Sequence, residues 1–393
     1  MNAFKRICAT LIGLVFCAAG LLKLMDPVGT GLLVETWLRF LHLGFLAGIA
    51  SFLGIALSLA ETLVGAALIT GIARKAVACL SAAFIGAFTL LTLLLLLFKP
   101  DMDCGCFGEA IPLTAAQSLV KNLVLCLLWA VAFLPLRRLG GPTRSRYVSF
   151  LLASVSVCLF AVYALFSIPP IDFTPLHPGT ELLGAYDDNF DDIVTYVYEK
   201  DGRQGSFTTD CPPDSSWTYV GTETLNRGIA DPGDAPQVLS FCDVTGQYCD
   251  SLATAGPVML LSVYAPRRLK EKHWAQLAAY ATKASEMGFT PLLLLSASAD
   301  ELDGLVPDSA LRMRSYLSDR KTLMTLNRSN GGASFVRDGQ VVHKWARRSL
   351  PDEKELRRQM RRDPTEVMMI DKNESRTRFL GFCFYLAAVM FLI

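Results

Sequence analysis

Two thiols one residue apart are the side chains in this chain best suited to covalent chemistry. They are Cys104 and Cys106, in the segment Asp103-Cys104-Gly105-Cys106-Phe107-Gly108-Glu109. Glycines flanking such a pair let it close a strained disulfide, and strained disulfides tend to be the exchangeable ones. The same sulfurs are soft metal ligands, and a tight turn with its thiols bridged or packed is the structural alternative. Spacing alone leaves these readings open. Glu61 is the second candidate, because it interrupts an apolar run between Ala60 and Thr62. An ionisable group at membrane depth is a functional hypothesis by default. Its companion is Lys23, at the end of the preceding apolar run, which is expected either to pair with Glu61 or to snorkel to the surface. Glu61 is expected near mid-membrane and Lys23 near the edge. A Glu61 held neutral by an interhelical hydrogen bond is the structural alternative.

These residues need elements to hold them, and the composition says which kind. Of 393 residues, 52% are hydrophobic and 19% charged, against about 25% charged in soluble proteins, and the mean hydropathy is +0.37. A net charge of +1 provides no basic footprint for nucleic acid. Spanning a bilayer takes about 20 apolar residues, and five segments qualify: 7–24, 46–72, 76–98, 119–136 and 147–168. The first has no cleavage signal after it and is read as a helix. Lys5, Arg6, Arg74, Lys75, Arg137, Arg138, Arg144 and Arg146 all fall on one side of this arrangement, which should be the cytoplasm. The connections 26–45 and 99–118, with Cys104 and Cys106, then face outward, as does everything from 170 to 375. The protein is expected in the cell inner membrane, with its N-terminus cytoplasmic, its large domain periplasmic and the lipid bilayer as its main partner. The tail 379–393 is short for a full span and is read as a sixth membrane segment.

The expected organisation is a membrane domain over 1–140, a fifth transmembrane helix over 147–168, and a small β-rich subdomain over 170–240. An α/β domain over 241–370 and the C-terminal membrane segment 379–393 follow. In the α/β part an apolar strand at 257–264 precedes a helical stretch at 267–287, a strand at 289–295, a short strand at 323–326 and a hairpin turning at Asp338-Gly339. Alternating strand and helix followed by a hairpin matches a thioredoxin-like fold. An enzyme of that fold carries Cys-x-x-Cys after its first central strand. Here that position reads Tyr264-Ala265-Pro266-Arg267-Arg268, which argues against a dithiol site in this domain. Cys242 and Cys249 are expected to form a local structural disulfide, with Cys211 left over. Cys8, Cys17, Cys79, Cys126, Cys158 and Cys383 read as small apolar packing residues, and His42, His177, His273 and His343 are not read as ligands. No metal is expected.

Gly20-Leu21-Leu22-Lys23-Leu24-Met25-Asp26-Pro27 resembles the first helix of DoxX-like and MauE-like membrane proteins. Asp103–Glu109, with Leu113-Thr114 and Lys121-Asn122, resembles their loop between helices 3 and 4. Including 171–175, Trp217 and Arg328-Ser329-Asn330, nearly the full length is similar to larger DoxX-like envelope proteins with a periplasmic thioredoxin-like domain. Where that fold usually has a proline after Asn330, this chain has Gly331-Gly332. The resemblance implies a four-helix membrane unit, a link to maturation of a disulfide-rich periplasmic enzyme subunit, and electron passage to a membrane quinone. It also implies that Cys104 and Cys106 are the exchangeable pair. The first functional expectation is therefore redox or disulfide maturation of envelope clients. The alternative is a non-enzymatic membrane-anchored scaffold whose thioredoxin-like domain binds a partner. A solute transporter using Glu61 is a third reading, disfavoured by the lack of an inverted repeat.

Overall fold

The computed structural model describes residues 3–98, 104–135, 144–182, 193–200, 203–208, 218–225, 239–254 and 256–391. Cys211, Trp217, Arg137 and Arg138 lie outside them. The membrane part consists of α1 (Ala3–Met25), α2 (Pro27–Phe40), α3 (Ala50–Thr70), α4 (Arg74–Phe98), α5 (Ala115–Phe133) and α6 (Arg144–Ala164). Among the described residues, five helices are long and apolar enough to cross a membrane: α1, α3 with the 3-10 turn before it, α4, α5 and α6. Helices α1 and α3 pack antiparallel at close range. A methyl group added at Gly20 would stand 2.8 Å from the Ser58 carbonyl oxygen and the Thr62 nitrogen, so the two backbones approach as closely as small residues allow. At one end of the bundle, the Arg6 guanidinium bonds the last carbonyls of α3, at Leu68 and Ile69, where a cation suits the helix dipole. Arg146 reaches the same turn at Gly71.

The connection after α1 differs from the expected loop: it is a 14-residue helix, α2. Asp26 caps it by accepting from Gly29 N at 2.9 Å, and Pro27 occupies the first turn, where its missing N–H costs nothing.

Residues 181–239 form a separate compact unit. Its described strands, β1 (Ile193–Lys200), β2 (Arg203–Thr208) and β3 (Thr218–Leu225), make an antiparallel sheet in the order β2-β1-β3, with Thr195 opposite Thr208 and Ile193 opposite Leu225.

The chain then returns to the first unit as a mixed five-stranded sheet with helices. The elements are β4 (Pro257–Val263), α7 (Glu271–Glu286), β5 (Thr290–Leu295), the one-turn helices α8 (Leu302–Leu305) and α9 (Ser309–Arg312), and β6 (Ser315–Leu317). After them come α10 (Arg320–Leu326), β7 (Gly332–Arg337), β8 (Gln340–Trp345), α11 (Glu353–Arg361) and α12 (Pro364–Phe391). Strand order is β6-β5-β4-β7-β8, with β4, β5 and β6 parallel and β7 and β8 antiparallel. Apolar runs such as Leu292–Leu295 are buried because helices cover the sheet. Asp338 and Gly339 make the hairpin turn with φ of +50° and +80°, the left-handed pair a two-residue turn requires. Residues 323–326, expected as a strand, end helix α10 instead: Asp319 caps that helix through Lys321 N and Thr322 N, so that it starts at Arg320, three residues earlier.

The apolar C-terminal tail is the second half of α12, a single 28-residue helix. It lies along α6, with Phe382 stacked on Phe160 at 4.7 Å and Tyr385 hydrogen-bonded to Ser156 at 3.2 Å.

Candidate functional site

The chain reverses between α4 and α5 on a turn made by Cys104–Glu109. Gly105 has φ +61°, and Gly108 N donates to Gly105 O at 3.1 Å. Helix α2 seats this turn: a Cβ on Gly105 would lie 2.0 Å from a Leu33 methyl, so both conformation and space demand glycine there. Helix α5 begins just beyond, with Thr114 and Gln117 in a reciprocal capping box. One face of α5, at the helical spacing Ser118, Lys121, Asn122 and Leu125, then runs down beside the turn.

This scaffold brings the two sulfurs to 2.9 Å from one another. That is longer than the roughly 2.05 Å of a disulfide, and both are free thiols. Cys104 is 1% exposed and Cys106 5%, in an apolar setting with Leu95 and Ala115 and the partly buried Phe40 and Phe107. Their polar surroundings are unequal. Cys104 donates its S–H to the Cys106 sulfur and sits 2.6 Å from Ser118 Oγ. The hydrogen bond with Cys106, together with burial, raises the Cys104 thiol well above its ordinary range. Cys106 is lowered to about 5, first by the bond from Cys104 and then, against burial, by the ammonium groups of Lys121 and Lys23. The Lys121 ammonium also lies 5.0 Å from the Phe107 ring centroid. The pair thus divides into one sulfur that keeps its proton and one that gives it up, which is the division a nucleophilic or leaving thiolate needs. Among the described residues, no third His, Cys, Asp or Glu joins the sulfurs in a metal-binding group.

Lys23 and Glu61 lie directly under this turn. Lys23 Nζ is 2.6 Å from Glu61 Oε2, and both residues are buried. Of the two expectations for Lys23, the structure has it paired with Glu61 rather than snorkelling outward. A helical side chain tilts toward the N-terminus of its helix, so Lys23, near the end of α1, points back into the bundle rather than out to the surface. Glu61 on antiparallel α3 tilts the opposite way and meets it. The Lys23 ammonium also faces the Phe88 ring at 5.0 Å, and Thr30 Oγ1 bonds the Lys23 carbonyl at 2.8 Å. The turn rests on the Lys23 stem, since a Cβ on Gly108 would be 3.8 Å from Lys23 Cγ.

A residue of the sheet domain completes the surroundings. Arg328, on the loop between α10 and β7, donates from Nε to Asp26 Oδ2 at 2.9 Å and from Nη2 to Glu109 Oε2 at 2.5 Å. Its Nη1 bonds Met324 O at 3.0 Å. It therefore ties the sheet domain to the cap of α2 and to the end of the cysteine turn. Arg328, Ser118 and Lys121 were not among the candidates from sequence. Lys121 and Arg328 lie in segments that carried the resemblance, and Ser118 shares a face of α5 with Lys121, but nothing in the sequence points Arg328 to its partners.

Cys242 and Cys249 are placed differently. Both are free thiols on a local turn. Cys242 bridges Tyr248 and, on its other edge, Leu317 of β6, while Cys249 N bonds Phe241 O at 2.9 Å. Cys242 shares a face with Tyr248, so Cys249, one residue on, projects from the opposite face. Among the remaining thiols, Cys8 and Cys17 are buried, as packing residues should be. Cys79, Cys126 and Cys158 are exposed on the outer faces of their helices, a correction to their expected packing role.

Residues 1–136 match the family of the methylamine utilisation protein MauE. This match covers α1 to α5 with the cysteine turn, while the resemblance read from sequence ran further along the chain. Residues 193–225 match a domain of unknown function. No curated protein and no solved structure matches the chain. The MauE-matching region is multi-pass by its apolar helices, and it contains the hydrogen-bond partners described for the two sulfurs, Ser118 among them.

Proposed function

We propose that the chain is an inner-membrane protein that exchanges disulfides with envelope clients through Cys104 and Cys106. The convergence of the two sulfurs at 2.9 Å beside Lys121 and over Lys23 carries this reading. Basic residues gathered at the opposite end of the bundle are consistent with a cytoplasmic N-terminus and a periplasmic sheet domain. In the oxidised pair, a client thiolate attacks Cys104 Sγ. The Cys104–Cys106 bond breaks and Cys106 leaves as a thiolate beside Lys121. A second client thiolate then attacks the client sulfur of the mixed disulfide. The client leaves oxidised by two electrons, Cys104 takes a proton, and the pair is reduced. Re-oxidation of this pair, one thiol and one thiolate, releases two electrons and the Cys104 proton; a membrane quinone accepts them and takes its second proton from water. The apolar rim of Phe40, Leu91, Leu96 and Phe107 around the sulfurs suits an acceptor arriving from the bilayer. Through the MauE match, the client class would be a disulfide-rich subunit of an amine-oxidising enzyme.

The test is thiol trapping in intact membranes with a maleimide of added mass. The wild type should shift between oxidised and reduced forms when quinone supply or a reductant is changed. A pair locked in one state under both treatments sinks the proposal.

A second reading has its own observation. We read the five-stranded sheet as thioredoxin-like, and the loop where Cys-x-x-Cys would stand is closed internally. Asn330 holds Ala265 by both amide atoms, at 3.0 and 2.9 Å, and Tyr264 Oη bonds Arg328 O at 3.2 Å. A domain so occupied favours holding the membrane turn, through Arg328, over performing exchange itself. In the scaffold reading this holding is the whole function.

A further inference from the structure

A basic cluster lies on the sheet domain at the level where α6 leaves the bilayer. Helix α6 ends at Ala164, and Leu165 and Phe166 follow it, each 47% exposed. Exposed apolar side chains at the end of a spanning helix mark the boundary between acyl chains and headgroups. The Arg348 guanidinium lies 3.6 Å over the Phe166 ring, which fixes Arg347 and Arg348 at that boundary. Lys270, Lys272 and His273 lie with them around a cavity of about 590 Å³. A second cavity of about 260 Å³ shares Arg347 and Arg348 and has apolar helix residues, including Ile55 and Phe166, on its other wall. The one carboxylate on that wall, Asp26, is already held by Arg328. Among the described residues, Lys270, Lys272, Arg347 and Arg348 form no ion pair within 4.0 Å. Buried or paired cations serve structure; four without an ion pair, around two cavities that share Arg347 and Arg348 at a membrane boundary, suit an anion that comes with a hydrocarbon tail.

We infer that Arg347, Arg348, Lys270 and Lys272 bind the phosphate headgroup of an anionic phospholipid, its chains lying along the exposed apolar face of α6. Arginine suits the phosphate as a planar fork and stacks on Phe166 at the same time. The consequence is a sheet domain held against the membrane on one side by lipid and on the other by Arg328. This binding does not depend on the cysteine chemistry, so Cys104→Ser should leave it intact.

Native mass spectrometry of the full chain in detergent tests the inference, with phosphatidylglycerol and phosphatidylcholine offered at equal concentration. Phosphatidylglycerol should bind preferentially. Each basic residue near a membrane surface is worth about fivefold in binding, so Arg347→Gln with Arg348→Gln should lower that preference roughly 25-fold. Lys270→Gln with Lys272→Gln, at exposed positions whose loss does not threaten folding, should lower it to a similar extent. Arg357→Gln, an exposed arginine paired with Glu353 on α11, should not change it. Equal binding of the two lipids, or unchanged preference in both double variants, overturns the inference. Displacement of phosphatidylglycerol by millimolar inorganic phosphate also overturns it, by showing that the site reads a free anion rather than a lipid.

Discussion

Cys104 and Cys106 are one residue apart, and Cys242 and Cys249 are separated by six, yet both pairs sit on tight turns that fold the chain back on itself. In the first pair a glycine at φ +61° turns both sulfurs to the same side, where α2 and α5 enclose them. In the second, strand alternation sends the sulfurs to opposite faces, and the turn is held by Asp243, which accepts from Thr245 N at 2.8 Å and Gln247 N at 3.0 Å. Short sequence spacing is therefore a poor guide to thiol chemistry. What separates the pairs is whether the fold aims both sulfurs at one point and places unlike charges around them.

The largest expected effect breaks this comparison outright. Cys104→Ser or Cys106→Ser should abolish redox-dependent trapping and client exchange, whereas Cys242→Ser and Cys249→Ser should leave both at wild-type level. A loss of exchange in either of the last two would move the active thiols into the sheet domain and end the distinction.

The bundle beneath Cys106 gives the next effect. Glu61→Gln leaves Lys23 buried without its counter-charge, and breaking a buried pair from one side costs about 3–5 kcal/mol. This should appear as a lowered unfolding midpoint of the detergent-solubilised protein. Lys23→Met combined with Glu61→Gln should recover most of that stability, because neither charge is then stranded. The same double variant sharpens the comparison, since it retains the shape under Cys106 while removing the Lys23 charge. Slower alkylation of Cys106 in a fully stable double variant would show that the pair serves the thiol through charge. Wild-type alkylation would show that the pair serves packing alone.

Much of this arrangement is readable in the sequence. The apolar runs locate the spanning helices because one physical requirement, length across hydrocarbon, dominates them. Asp338-Gly339 locates the hairpin because few residue pairs tolerate its backbone. The cysteine turn is visible for the same reason, in Gly105 and Gly108. Helix α2 was legible in the cap Asp26-Pro27, but its mixture of Thr36, Glu35 and Arg39 with apolar residues hides it between two stronger signals. Residues 323–326 mislead in the opposite sense, since a short apolar run carries no period that separates strand from helix. The meeting of Lys23 with Glu61 depends on the antiparallel register of α1 and α3 and on the direction in which helical side chains lean. Arg328 lies more than two hundred residues from Glu109 in sequence, and nothing local marks it as the residue that would hold both Glu109 and Asp26.

The smallest effect concerns the charge that most directly favours the Cys106 thiolate from outside the pair. The depressed Cys106 is a thiolate above about pH 5 and gains its proton as pH falls through that value. Alkylation by a small reagent such as iodoacetamide should therefore be flat from pH 7 down to about 6 and fall below 5. The bond from Cys104 is the first cause of this depression and Lys121 the next favourable one. Lys121→Met should then move the alkylation midpoint upward by about one pH unit without changing the trapping pattern at neutral pH. Cys104→Ala should move it further, because it removes the donor to the Cys106 sulfur. Reversal of that order would make Lys121, not the neighbouring thiol, the source of the asymmetry. The contrast between the two cysteine pairs would then rest on one α5 side chain rather than on the aim of the turn.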